Sequence, residues 1–200
     1  LKDSKVKIGH YNKRSIPQGF TVYTVTEYID TDTIDYFTIK VETLDRYQRL
    51  LNTETFDARF FEGEVVVEKL FLMNVDSLAV IDESNYIIEG RDYVIPAFMA
   101  NGIALSSAWV EFIKNDQSAY KISEFSRMVD SFEKIKTAAG EFDACLISSK
   151  LETNYGENEL FSVYAYYTRG IGPVRINYFN TKRKLVKYSE IVEYSIPGKS

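Results

Sequence analysis

Two hundred residues, 45% of them hydrophobic and 26% charged, suffice for one domain with its own core and exclude wholesale disorder. A net charge of −5 argues against a general nucleic-acid binder, which needs a basic surface to displace phosphate counterions, and against loose docking on anionic headgroups. A single cysteine excludes an intrachain disulfide and any Cys-rich zinc site.

Fifteen Tyr and thirteen Phe, against one Trp and four Pro, suit a pleated, half-buried surface. The chain opens at Leu1 with no hydrophobic signal core, so the expectation is a trimmed N-terminus. A signal peptide or lipid-anchor segment is the expected loss, and an expression truncation is the alternative. Residues 1–18 form a lead-in ending at Ile16-Pro17-Gln18-Gly19, with short strand pairing open to Val6 and Ile8.

Hairpins follow. Phe20 to Ile29 and Ile34 to Thr43 alternate with a period of two around the turn Asp30-Thr31-Asp32-Thr33. Phe37, Ile39 and Val41 share one face. Thr53 to Phe61 is the next strand, Glu62-Gly63 a tight turn, and Val65 to Met73 a strand covered on both faces. Ala79 to Ile81 and Tyr86 to Ile88 are short strands around a turn at Asp82 to Asn85. Ala104 to Lys114 fits a strand or a helix, because Leu105, Trp109, Phe112 and Ile113 also share a face at helical spacing; the strand is favoured.

Tyr120 to Phe125 is a strand and Arg127 to Phe132 a helical turn. Beyond it, Glu133 to Thr137 and Phe142 to Leu151 make a hairpin. Asn154 to Asn158 turns into the strand Leu160 to Thr168. Arg169 to Pro173 turns into Val174 to Phe179. A turn at Asn180 to Arg183 leads to the final strand, Leu185 to Tyr194. Regular strands joined by tight turns imply one meandering sheet whose apolar face needs cover. The longest apolar runs are too short to span a bilayer.

Side chains with chemical potential are few. His10, the only histidine, lies in the lead-in and is expected to be exposed. Cys145, among apolar neighbours on a strand, is expected to be a small buried hydrophobe without a thiolate's cationic surroundings. Asp30, Asp32 and Asp35 lack the glycine and glutamate of a calcium loop and belong to a hairpin turn. Gly170 and Gly172 precede Pro173 and a strand, so they make a turn and no phosphate loop. Lys182, Arg183, Lys184 and Lys187 form the one basic knot, expected at a solvated hairpin tip. The aromatic strand puts Tyr164 and Tyr166 on one face, with Phe161, Val163, Ala165 and Tyr167 on the other. Either cross-strand packing or an amphipathic groove for a lipid tail or sugar would use it.

Two phrases carry a resemblance. Lys136-Thr137-Ala138-Ala139-Gly140-Glu141-Phe142-Asp143-Ala144-Cys145-Leu146 and Tyr166-Tyr167-Thr168-Arg169-Gly170-Ile171-Gly172-Pro173-Val174 resemble the AG-x-F-x-x-C and YY-x-x-G-x-G-x-V phrases of a family of uncharacterised bacterial exported proteins and lipoproteins. Weaker agreement extends through Pro96, Gly102 and Trp109, and Ala138 stands where a proline is common. The resemblance implies an extracytoplasmic location, in the periplasm or at the cell surface, and a curved sheet similar to the half-barrels that carry lipoproteins. It implies no activity. Gly140, and Gly170 or Gly172, are expected to take backbone angles that a Cβ resists.

The sequence therefore points to a mainly β protein: a large curved antiparallel sheet or half-open barrel with one or two short helices. Residues 1–18 are the lead-in and 19–200 a single domain. The expected function is non-catalytic binding of a lipid, an acylated protein or another hydrophobic ligand. A structural or protein-interaction module of the bacterial cell envelope is the alternative. Trp109, Phe161, Tyr164, Tyr166 and Tyr167 are the candidate ligand contacts. No catalytic residue, metal site or cofactor is expected. The expected partners are a lipid or an envelope protein, with a lipid anchor upstream.

Overall fold

The structure is a computed structural model that describes residues 2–71, 86–154 and 158–197. Among them, fourteen strands build one antiparallel sheet. The first seven are β1 (Lys5–Asn12), β2 (Pro17–Ile29), β3 (Ile34–Asp45), β4 (Leu50–Phe61), β5 (Glu64–Val67), β6 (Ile87–Arg91) and β7 (Tyr93–Pro96). Then come β8 (Ala104–Leu105), β9 (Ala108–Lys114), β10 (Gln117–Thr137), β11 (Gly140–Thr153), β12 (Glu159–Thr168), β13 (Gly172–Phe179) and β14 (Leu185–Ser195). Their hydrogen-bonded order is β6-β9-β10-β11-β12-β13-β14-β1-β2-β3-β4-β5-β7, with β8 paired to β10.

The sheet closes almost completely, through an unusual strand. Only Asp92 separates β6 from β7. Yet β6 pairs with β9 at one end of the sheet, and β7 pairs with β5 at the other. One extended stretch thus changes partners at Asp92 and draws the two edges together. Asp92 Oδ1 accepts a hydrogen bond from the backbone N–H of Lys69 at 3.2 Å. Beyond the handover, Arg127 of β10 pins the seam: its Nη1 donates to the carbonyls of Val94 (3.1 Å) and Ser106 (2.8 Å).

The expected curved antiparallel sheet is the fold found, and 104–114 is strand throughout its regular parts, as β8 and β9. Residues 1–18, expected as a lead-in, hold β1, which is paired with β14 on one side and β2 on the other. The helical turn expected at Arg127 to Phe132 is instead the middle of the 21-residue strand β10. Its alternation breaks because Ser126 and Arg127 form a bulge opposite β11, with Ser126 at φ 51°. The strand expected to reach Met73 ends at Val67. A 3₁₀ turn follows at residues 69–71, the one helical feature among the described residues where one or two short helices were expected. Ala79 to Ile81, Asp82 to Asn85 and Tyr155 to Glu157 lie outside the described residues.

Glycine supports the turns as expected. Gly140 (φ 137°), Gly170 (φ 77°) and Gly172 (φ 98°) occupy the region that L side chains avoid. Behind them, Phe142 and Val174 turn into the core. Interior side chains form three buried clusters. The largest joins Val110, Phe112, Leu151, Phe161 and Tyr178 to Ala58, Val67 and Tyr93, so it bridges the seam. The others centre on Ile8, Phe142, Val174 and Ile191, and on Val129, Cys145 and Ile147.

Candidate functional site

The three clusters do not merge. Between them lies a cavity of about 1000 Å³, half open to solvent. Alternation explains its walls: inward positions of β1, β2, β3 and β5 supply Val6 and Ile8, Tyr23 and Val25, Phe37 and Ile39, Val65 and Val67. Phe71, Tyr93, Ile95, Ala144, Cys145 and Tyr167 also line the interior. At the mouth stand Phe98 and Phe132, 75% and 56% exposed, with the exposed charged residues Glu133, Lys134, Asp143 and Arg169. The rim charges are two acids and two bases, so the mouth favours neither sign. The Arg169 guanidinium lies 5.6 Å from the centre of the Phe98 ring.

Apart from the hydroxyls of Ser4, Tyr23 and Thr168, one polar spot interrupts the apolar wall. The hydroxyls of Tyr93 and Tyr167, from β7 and β12, are hydrogen-bonded at 2.9 Å. Burial raises both phenols, Tyr167 to about 12, and the nearby Glu124 raises them further. Behind Tyr93 sits Arg127, with its guanidinium 3.9 Å from the ring centre and its side chain wholly buried. Glu124 Oε1 lies 3.8 Å from Arg127 Nε and accepts a 2.6 Å hydrogen bond from Ser149 Oγ. Arg127 Nε and Nη2 have no hydrogen-bond partner among the described residues. The β10 bulge is what turns Arg127 inward. No motif singles out Glu124 or Arg127 in the sequence; two charged residues interrupting an aromatic, alternating segment are the one available signal.

Of the sequence candidates, Tyr167 lines the cavity. Phe161 belongs to the largest packed cluster, edge-on to Tyr178. Trp109 is half-buried on β9 beneath Lys121 Nζ, at 5.0 Å. Tyr164 is exposed and packs edge-on against Phe179. Tyr166 is half-buried beside the Phe142 and Val174 cluster. On β12 the inward face is the one carrying Phe161, Val163, Ala165 and Tyr167, and Tyr164 and Tyr166 do not border the cavity.

His10 is not exposed as expected. Its Nδ1 meets Ser189 Oγ and its Nε2 meets Thr21 Oγ1, each at 2.8 Å. Burial, then the Lys187 charge, lowers its pKa to about 4. Such an imidazole is a weak base at neutral pH, no carboxylate among the described residues orients it, and both hydroxyls are buried. Cys145 is buried, and burial raises its thiol pKa as expected of an inert cysteine. The Asp30 to Thr33 turn is exposed and closed by Thr31, whose Oγ1 accepts from the Ile34 N–H. Asn180 Oδ1 organises the basic hairpin tip by accepting from the N–H groups of Lys182 and Lys184.

The family described as DUF3108-like matches residues 2–191. No curated protein matches the sequence. Two crystal structures share the fold. One is of a "putative exported protein with YmcC-like fold" from Bacteroides fragilis: TM-score 0.81, 17% identity, 98% of this chain and 97% of that one covered. The other is of a "putative lipoprotein" from Parabacteroides distasonis: TM-score 0.78, 16% identity, 98% and 96% covered.

Proposed function

The chain belongs to the DUF3108-like family, and we propose that this member is a non-catalytic, extracytoplasmic binding module that holds a lipid or other elongated hydrophobic ligand inside its barrel. The carrying observation is the cavity of about 1000 Å³ walled by aliphatic and aromatic side chains from both ends of the sheet. That size is at the upper end of small-molecule sites, roughly 300–1000 Å³, and the wall offers an alkyl chain contact on all sides. The neutralised His10 supports binding over catalysis. The names of the two structural neighbours, one exported and one a lipoprotein, support a place outside the cytoplasm, in the periplasm or at the cell surface.

Native mass spectrometry of protein purified from its own host tests the proposal. A bound species of lipid mass is expected. Val25→Trp, which pushes an indole into the cavity from β2, should abolish co-purification and weaken binding of an apolar fluorescent dye at least tenfold while the sheet stays folded. An empty native protein that takes up no lipid or dye would overturn the reading. The second reading, an envelope interaction module, is favoured by exposed Phe98 and Phe132 and predicts a bound protein with an empty cavity.

A further inference from the structure

The polar spot in the cavity wall narrows the ligand class, and the inference rests on the binding function proposed above. Two phenol donors face the cavity there, with Arg127 behind them and outside the cavity lining. The Tyr93 and Tyr167 hydroxyls share one hydrogen bond, so one O–H remains to donate. Arg127 Nε and Nη2 donate to nothing among the described residues, although the side chain is wholly buried. Burial keeps both phenols protonated far above neutral pH, so they remain donors. The Arg127 donors lie behind the wall, so the group a ligand can use is the remaining phenol O–H, which a ligand oxygen placed against the tyrosines accepts from.

Charge decides which oxygen. Arg127 already faces the Glu124 carboxyl at 3.8 Å, so the spot lacks acceptors and does not lack negative charge. A ligand carboxylate would bring a second acidic group into a mostly apolar site backed by one guanidinium. The balanced mouth (Glu133 and Asp143 against Lys134 and Arg169) gives an anion no help either. From these observations we infer that the cavity selects a long-chain acyl ester or amide, whose neutral carbonyl oxygen accepts from the Tyr93–Tyr167 pair in front of Arg127, over the free fatty acid.

The inference is tested by displacing a phenylnaphthylamine dye from the delipidated full chain at pH 7.5. The three competitors are methyl hexadecanoate, hexadecanoic acid and heptadecane, delivered from cyclodextrin. The ester should bind about five- to tenfold more tightly than the hydrocarbon, the worth of one buried hydrogen bond. It should also bind more tightly than the acid. Tyr93→Phe and Tyr167→Phe together, which remove both hydroxyls and keep both rings and so the cavity wall, should erase the ester's advantage and leave heptadecane unchanged. Equal binding of all three competitors, as when water alone satisfies Arg127, would overturn the inference and leave the binding function standing. Tightest binding of the acid would overturn it too. If none displaces the dye and the dye itself does not bind, the binding function fails first.

Discussion

Both ring nitrogens of His10 are occupied by hydroxyls inside the barrel wall, and its low pKa of about 4 has a thermodynamic consequence. An unfolded histidine titrates near 6.5, so below that pH the unfolded chain takes up a proton that the folded chain refuses. The contribution of His10 to stability is full above about pH 6.5. It falls as the pH drops towards 4, by up to about 3 kcal/mol. Urea denaturation at pH 7.5 and 4.5 should show that loss. His10→Gln, which keeps a hydrogen-bonding side chain but cannot titrate, should reduce the pH-dependent loss by about 2–3 kcal/mol. Identical pH dependence in both proteins would show that the histidine is free to protonate where it sits. The sequence identified His10 as the only histidine but not its surroundings. Its partners Ser189 and Thr21 lie on β14 and β2, and it is the pairing of the first strand with the last, far apart in sequence, that places β1 between them.

At the scale of the element, alternation was legible wherever a strand obeys it. β11 and β12 show a period of two in the sequence and bury the matching face, whereas β2 and β3 alternate in sequence but are mostly half-buried on both faces. Over β10 the sequence suggests a strand, a helical turn and a second strand, because the bulge places Ser126 and Arg127 against the pattern, and Arg127 is the residue that ties β10 to β7. The handover at Asp92 was equally hidden, since no local signal says that one extended stretch serves two edges. Gly90 exposes the tightness of that seam. A Cβ there would run into the Trp109 carbonyl and the Lys69 side chain. Replacing a strand glycine by alanine ordinarily adds stability. Here Gly90→Ala should instead cost about 1–3 kcal/mol through overpacking, read as a lower thermal midpoint. An unchanged or raised midpoint would mean that β6 does not lie against β9 as described.

For the molecule as a whole, the sequence announced a sheet with an apolar face but not what covers it. Period-two patterning says which side chains point inward. Whether opposite walls meet depends on the curvature, which the β6–β7 strand imposes by joining the edges. At the Phe112 and Tyr178 end the walls meet and the core is filled. Between Val25, Phe37 and Tyr167 they stand apart. A barrel with one filled and one open end should depend on its occupant for part of its stability. Ligand held at about a hundred times its Kd adds about 2.7 kcal/mol to the folded state. For a chain of this size each kcal/mol moves the midpoint by about 2–4 °C. Host-purified protein should therefore melt about 5–10 °C above the same protein after delipidation, and returning the lipid should restore the difference. Val25→Trp should melt at one temperature regardless of lipid, because its indole takes the ligand's place. If delipidation leaves the wild-type midpoint unmoved, the open end holds water, and the apolar wall serves curvature alone.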